Sequence, residues 1–321
     1  MTEESKWRII GHGAVLSFLD SAMANGRIDH GYVFQGPDAI GKETVAMQFF
    51  AKLLKVDEDR LAVHPDLIIV ERGINPKTKK QREKISIDQV QEARSRFQHS
   101  TLSGGWKLML IKDAQLMTES ASNALLKTLE EPRGNACIVM TTTHASHLLP
   151  TIRSRSQVVS FRPVAREDIC DAIKPMLGSR EEAHTIAGYA AGCPGAALNN
   201  VNNAAARDIM TENKEKARAC LTGSASKRIL KAKKLIPEYN EDHVVTRMQL
   251  LQRVNMIETI ARDDLLRSIG CDDLVTDREN IAELDKDQAV ASIKGAVKLK
   301  KQLAMHINPK MALINLMLNI G

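Results

Sequence analysis

The sequence predicts an α/β fold built on a P-loop and a parallel sheet, followed by a helical C-terminal half. Three observations carry that expectation. Leu108-Met109-Leu110-Ile111 is a short unbroken apolar run, the pattern of a strand buried on both faces of a parallel sheet. Gly36-Pro37-Asp38-Ala39-Ile40-Gly41-Lys42-Glu43 follows the phosphate-loop pattern G-x-x-x-x-G-K-[S/T] at every fixed position but the last. From about Val201 onward no strand pattern occurs, and aromatic residues are only 3%, so aliphatic side chains fill the cores and helices are favoured over a β-sandwich.

A chain of 321 residues suggests two or three domains. The net charge of +6 suits a nearby polyanion and equally an ordinary soluble surface. Cys137, Cys170, Cys193, Cys220 and Cys271 lie too far apart for a zinc knuckle or a disulfide framework, and scattered thiols fit a reducing, cytoplasmic setting. Met1 to Lys6 is acidic and lacks an apolar core, so no signal peptide is expected, and no apolar run approaches a membrane span.

In chain order, Ile9-Ile10-Gly11-His12 leads into a helix with Val15, Leu16, Phe18, Leu19 and Ala22 on one face. His30 to Pro37 reads as a strand entering a turn. The turn's glycines, Gly36 and Gly41, let backbone N–H groups converge on an anion at the following helix's positive end, where Lys42 would bridge terminal phosphates. Glu43 departs from the pattern, since a hydroxyl there normally ligates Mg²⁺. Thr44 is one residue along and projects about 100° around the helix, so it is no simple substitute. Leu67-Ile68-Ile69-Val70 is a strand, and Ile85-Ser86-Ile87 alternates like another, with Ser86 or Asp88 beginning the next helix. The basic stretch from Arg72 to Lys84, with a turn at Asn75-Pro76, is either a phosphate contact on DNA or a solvated hairpin tip. Lys112, Asp113 and Gln115 follow the apolar run at the strand end where open α/β sheets place ligands. Thr118 is the expected N-cap of a helix stopped by Pro132. Ala136 to Met140 is a further buried strand, ending in Thr141-Thr142-Thr143. Ile169, Ile173, Met176, Ile186 and Tyr189 mark a small helical region, and helical periodicity returns over Val244 to Ile260 and Ile281 to His306.

Helix propensity does not account for Asn123-Ala124-Leu125-Leu126-Lys127-Thr128-Leu129-Glu130-Glu131-Pro132. This run resembles the bacterial clamp-loader subunits of DNA polymerase III, and the resemblance is dense from Ile9 to Phe161, thinner to Leu198 and weak beyond except for a tail from Asn308 to Leu318. His64-Pro65-Asp66 resembles the family sequence that follows a zinc module; no cysteine precedes it here, so no zinc is expected and His64 is not a ligand. The resemblance implies an AAA+ P-loop α/β domain at 1–162, a small helical lid at 163–200 and a helical collar for oligomerisation at 201–321. Motor subunits of the family carry an Asp-Glu pair where this chain has Lys112 and Asp113, and an arginine where it has Ala196. With Glu43, these departures resemble the delta prime type, the subunit that does not drive hydrolysis itself.

That likeness implies negligible ATPase activity for the chain alone, within the DNA-directed DNA polymerase III holoenzyme. ATP or ADP held without hydrolysis at Gly36, Gly41, Lys42 and Thr44 stays open. One of Thr141, Thr142 and Thr143 occupies the place of a γ-phosphate sensor, or caps the strand end. Ser154 and Arg155 match a family Ser-Arg-Cys motif whose arginine reaches a neighbour's ATP; Ser156 replaces the cysteine. The implied partners are the motor (gamma/tau) and delta subunits and, through the complex, the sliding clamp and primed DNA, with no membrane. An active gamma/tau-type motor ATPase and a stand-alone DNA-binding P-loop protein are the alternatives.

Overall fold

The computed structural model describes residues 7–75, 79–102, 105–236, 243–277, 284–304 and 308–320. The acidic start Met1 to Lys6, Pro76 and His306 lie outside the described residues. The chain divides into two compact units, Met1–Val164 and Ala165–Gly321.

The first unit is built on five strands, β1 (Gly31–Gln35), β2 (Leu67–Val70), β3 (Lys107–Ile111), β4 (Ala136–Thr142) and β5 (Gln157–Ser160). They form one sheet in the order β2-β3-β4-β1-β5, and every neighbouring pair is parallel. Val33 pairs with Met140 on one side and Val158 on the other, so the carboxyl ends of β1, β4 and β5 share one edge. All residues of β3 and β4 are buried, which is why their sequences are apolar without alternation. The one cation in β3, Lys107, is buried against the Asp66 carboxylate at 3.0 Å, and Asp66 also accepts the backbone N–H of Leu102 at 3.0 Å. Asp66 thereby explains His64-Pro65-Asp66 as a structural turn, in which His64 Nδ1 accepts the Asp66 N–H.

Helices α1 (Gly13–Ala24), α2 (Lys42–Leu54), α3 (Glu58–Leu61), α4 (Ile87–Gln98), α5 (Glu119–Glu130) and α6 (Pro150–Arg153) complete this unit. Of the face expected on α1, Val15 and Leu19 are buried while Phe18 is partly exposed. Thr118 caps α5 as expected, its hydroxyl accepting the Ala121 N–H at 3.2 Å. Ile85-Ser86-Ile87 is not the strand its alternation suggests. Ile85 makes a single bridge to Met117, and Ser86 with Gln89 forms a capping box that opens α4. A local cap two residues wide outweighs a three-residue alternation. Near the basic stretch, Ile74 bridges Gln81 in antiparallel fashion, a hairpin contact.

Among its described residues the second unit is helical throughout: α7 (Arg166–Leu177), α8 (Arg180–Tyr189), α9 (Pro194–Asn202), α10 (Ala204–Leu221), α11 (Ala225–Ala232), α12 (His243–Ser268), α13 (Lys286–Ala304) and α14 (Pro309–Leu318). Ile169, Ile173 and Ile186 are buried as their spacing implies, whereas Met176 is exposed. The division between the units falls at Val164/Ala165, and α9 runs across the position 200/201 where the second expected boundary lies. α10 and α11, which periodicity did not single out, supply Ala217, Cys220, Leu221 and Ala232 to the same core as Leu250, Val254 and Ile257 of α12. Among the described residues, no helix is long and apolar enough to cross a membrane, and no group of His, Cys, Asp and Glu is arranged to hold a metal ion.

Candidate functional site

The P-loop lies at the carboxyl end of the sheet. Gln35, the last residue of β1, ties that edge together: its amide donates to Ser160 Oγ at 2.7 Å and its oxygen accepts the Ala145 N–H at 2.9 Å. Gly36 follows, where a Cβ would stand 2.7 Å from the Phe161 carbonyl oxygen, so the glycine is required by the close approach of β5's exit. Gly41, at φ 108°, caps α2 in a conformation that disfavours any side chain. His12 supports the loop from the side, its Nε2–H donating to the Ile40 carbonyl at 2.9 Å while the ring lies edge-on to Phe161 at 5.0 Å. Burial lowers the His12 pKa, partly offset by that hydrogen bond.

Lys42 is buried and turned back on the loop, its ammonium donating to the carbonyls of Gly36 at 2.6 Å and Pro37 at 2.8 Å. Asp38 stands 4.0 Å from it. Burial raises the Asp38 pKa, the Lys42 charge opposes this, and Asp113 adds repulsion. Thr44 is exposed on α2, one position around the helix from Glu43.

The metal side of the site is rewired. Lys112, at the tip of β3, holds its ammonium 3.0 Å from Glu71 Oε2 and 3.5 Å from Glu43 Oε2. A side-chain cation therefore joins the carboxylate in the P-loop's hydroxyl position to a carboxylate just past β2. Burial works against the charged lysine, but the Glu71 hydrogen bond and the Glu43 charge outweigh it, and the Lys112 pKa is raised. These residues do not fit a Mg²⁺–nucleotide complex: the hydroxyl ligand is a paired carboxylate, and the strand-end carboxylate is an ammonium.

Asp113 sits in the left-handed region at φ 49°, its N–H donating to Thr141 Oγ1 at 3.0 Å and its carboxylate accepting Gln115 at 3.3 Å. Thr141 and Thr142 are wholly buried, and Thr142 donates to the His144 carbonyl at 3.1 Å. Thr143 is half-buried, with its hydroxyl 3.4 Å from His147 Nδ1. All three threonine hydroxyls thus take part in strand-end hydrogen bonds.

Ser154 and Arg155 are at the other end of the sheet, between α6 and β5. A Cβ on Gly31, the first residue of β1, would lie 3.2 Å from the Arg155 carbonyl oxygen. The length of β1, five residues at about 3.3 Å each, separates that point from the P-loop. The Arg155 guanidinium meets Glu130 Oε1 at 2.7 Å through Nη2, and the Thr151 carbonyl at 3.1 Å and Ser154 Oγ at 3.4 Å through Nη1. Ser156 Oγ is buried and makes no hydrogen bond to any described residue. Ala196 lies on α9 of the second unit and offers only a methyl group.

Sequence reasoning left out Glu71 and Glu130. Glu71 had a signal, since it directly follows a strand that neighbours β3. Glu130 had one too, as an unexplained member of the run ending at Pro132.

A fully parallel sheet in this order, with a G-x-x-x-x-G-K loop leaving β1 into α2, defines a P-loop α/β domain of the AAA+ type. Residues 11–165 match the family model described as DNA polymerase III, delta subunit. The DNA polymerase III subunit delta′ of Pseudomonas aeruginosa is 34% identical over 39% of this chain and 41% of that protein. The subunit delta′ of Bacillus subtilis is 30% identical over 50% of each. The DNA polymerase III subunit tau of Escherichia coli is 28% identical over 56% of this chain and 30% of that protein. The chain spans half or less of the length of these relatives. Over its first unit the chain is similar to these DNA polymerase III subunits, the delta prime type among them.

Proposed function

We propose that the chain is a non-motor member of a clamp loader: it completes a ring with gamma/tau-type motor subunits and a delta subunit, and lends Arg155 to ATP held by a neighbour. The assembly's work is to place a sliding clamp on primed DNA. The observation that carries this reading is the placement of Arg155. It stands a strand length from its own P-loop, on the opposite edge of the sheet, so its guanidinium serves phosphates outside its own chain. Phosphoryl transfer spreads negative charge over oxygens that a planar guanidinium meets with several fixed donors.

The rewired metal side supports the same reading. With Lys112 bound to Glu43 and Glu71, the chain lacks the ligands that position Mg²⁺ for turnover. ATP or ADP held without turnover is compatible with this role, and the three-part division into a P-loop domain, lid and collar belongs to the same proposal. The test is ATP turnover by the complex assembled with the motor and delta subunits of the same organism, clamp and primed DNA. Arg155→Ala should slow it without altering the size of the complex. A complex carrying Arg155→Ala that turns over as fast as the unsubstituted one overturns the reading, and so does Mg²⁺-dependent turnover by the isolated chain at a motor subunit's rate.

A further inference from the structure

The geometry points to Glu130 as the positioning residue for Arg155: its carboxylate aims the guanidinium that the trans reading assigns to a neighbour's phosphates, and the inference rests on that reading. Three features of the structure support it. First, the guanidinium is oriented from two sides. Nη1 is spent on the Thr151 carbonyl and Ser154 Oγ, and Nη2 is ion-paired with Glu130 Oε1 at 2.7 Å. The Nε–H makes no hydrogen bond to any described residue, which leaves a donor for an anion beside the Glu130 ion pair. Second, Glu130 itself is well anchored. It ends α5, and the two residues before it are buried: Thr128 Oγ1 accepts Arg94 Nε at 3.0 Å, and Leu129 packs where β1 begins at Gly31. A carboxylate at the end of so firmly held a helix is a fixed reference for a long, rotamer-rich side chain. Third, the pair remains reachable, with the Arg155 side chain 36% and the Glu130 side chain 44% exposed. An exposed ion pair adds little to stability, so its value lies in orientation.

This gives a physical role to one member of Asn123 to Pro132, a run that helix propensity leaves unexplained. The strand-to-helix-to-strand crossover β3–α5–β4 carries α5 from the ligand edge of the sheet back to the opposite edge, and Glu130 is the last helical residue there.

The test uses the complex of this chain with the motor and delta subunits, sliding clamp and primed DNA, with ATP turnover and complex size measured. Glu130→Ala should lower kcat roughly 3–10-fold with little change in the KM for ATP, since a misaimed group loses transition-state contacts before ground-state binding. Glu130→Gln keeps an acceptor oxygen and should recover most of that loss. In an Arg155→Ala background, Glu130→Ala should change nothing further, because the residue it aims is gone. A normal or raised rate in Glu130→Ala overturns the positioning role, as does a further loss in the double variant. A slow Arg155→Ala beside an unaffected Glu130→Ala removes this inference alone; an unaffected Arg155→Ala removes the trans reading with it.

Discussion

The two edges of one sheet have been treated differently. At the carboxyl edge the loop keeps its glycines and its lysine, but the charges around them are exchanged: Glu43 where a hydroxyl belongs, Lys112 where a carboxylate belongs, and Glu71 closing the bridge. At the amino edge Ser154 and Arg155 stand together, and the arginine is oriented by Glu130, Thr151 and Ser154. Between them run five strands whose residues are largely buried. Close-packed strands carry the geometry of one edge to the other, but the charge chemistry stays local, because the side chains that set it touch only their own edge. A P-loop domain can therefore exchange the charges at one edge and leave the arrangement at the other edge intact.

The comparison can be broken most forcefully at the amino edge. If Arg155 acts in trans as proposed, Arg155→Ala should slow the neighbouring site by about 10³-fold, the lower end for such fingers, and the assembled complex by less. Arg155→Lys should restore little, since lysine keeps the charge without the planar fork. Arg153→Ala, in the same segment, is the control expected to leave the rate unchanged.

The next effect belongs to the same edge but to stability. Ser156 Oγ is buried without a hydrogen bond to any described residue. Ser156→Ala should raise stability by about 1 kcal/mol, read as a higher urea midpoint at constant m, with turnover in the complex unchanged. A lower midpoint would mean that the hydroxyl is satisfied.

At the carboxyl edge, Lys112→Met leaves Glu43 and Glu71 without their shared cation. The expected cost at neutral pH is about 1 kcal/mol or less, because both glutamates are partly exposed. The Lys112 pKa is raised on folding, so its contribution is fully present below the unfolded value of 10.5 and fades as pH rises through the higher folded value. The variant should therefore differ from the parent chain at pH 7 and converge with it in strong alkali, as followed by urea unfolding across pH. Turnover in the complex should be unaffected; if Lys112→Met slows it as much as Arg155→Ala does, the two edges are not independent.

The smallest effect is at Asp38. Its pKa is also raised, which for a carboxyl group means that the charged form is disfavoured in the folded chain. Its favourable contribution is present below the unfolded value of 3.8 and lost as pH rises through the folded one. Asp38→Asn should raise stability at pH 7 by a few tenths of a kcal/mol, given its exposure, and by nothing below pH 3.8. A thermal melt at both pH values decides it.

The strands and the loop were legible because they depend on local patterns: an unbroken apolar run such as Leu108 to Ile111, a glycine-framed turn, and a hydroxyl cap at Thr118. The departures at Glu43 and Lys112 were legible too, but only as losses. That they compensate each other through Glu71 was not, because the bridge joins residues from three separate segments whose proximity the sheet order sets. Glu130 and Arg155 are likewise brought together by a crossover rather than by spacing. In the second unit, α10 and α11 were missed because their polar faces are broad and their buried positions include Asn213 and Arg228, which break the apolar pattern that Ala217, Cys220 and Leu221 begin.

Gly31 has a consequence of a different kind. A Cβ there would lie 2.9 Å from Leu129 Cδ2, 3.0 Å from Ser156 Oγ and 3.2 Å from the Arg155 carbonyl oxygen. One missing methyl group thus lets a helix end, a loop and a strand start converge on a single point. How far the Arg155 segment stands from the sheet is thus set at Gly31, where any larger residue would push the end of α5 and the start of β5 apart.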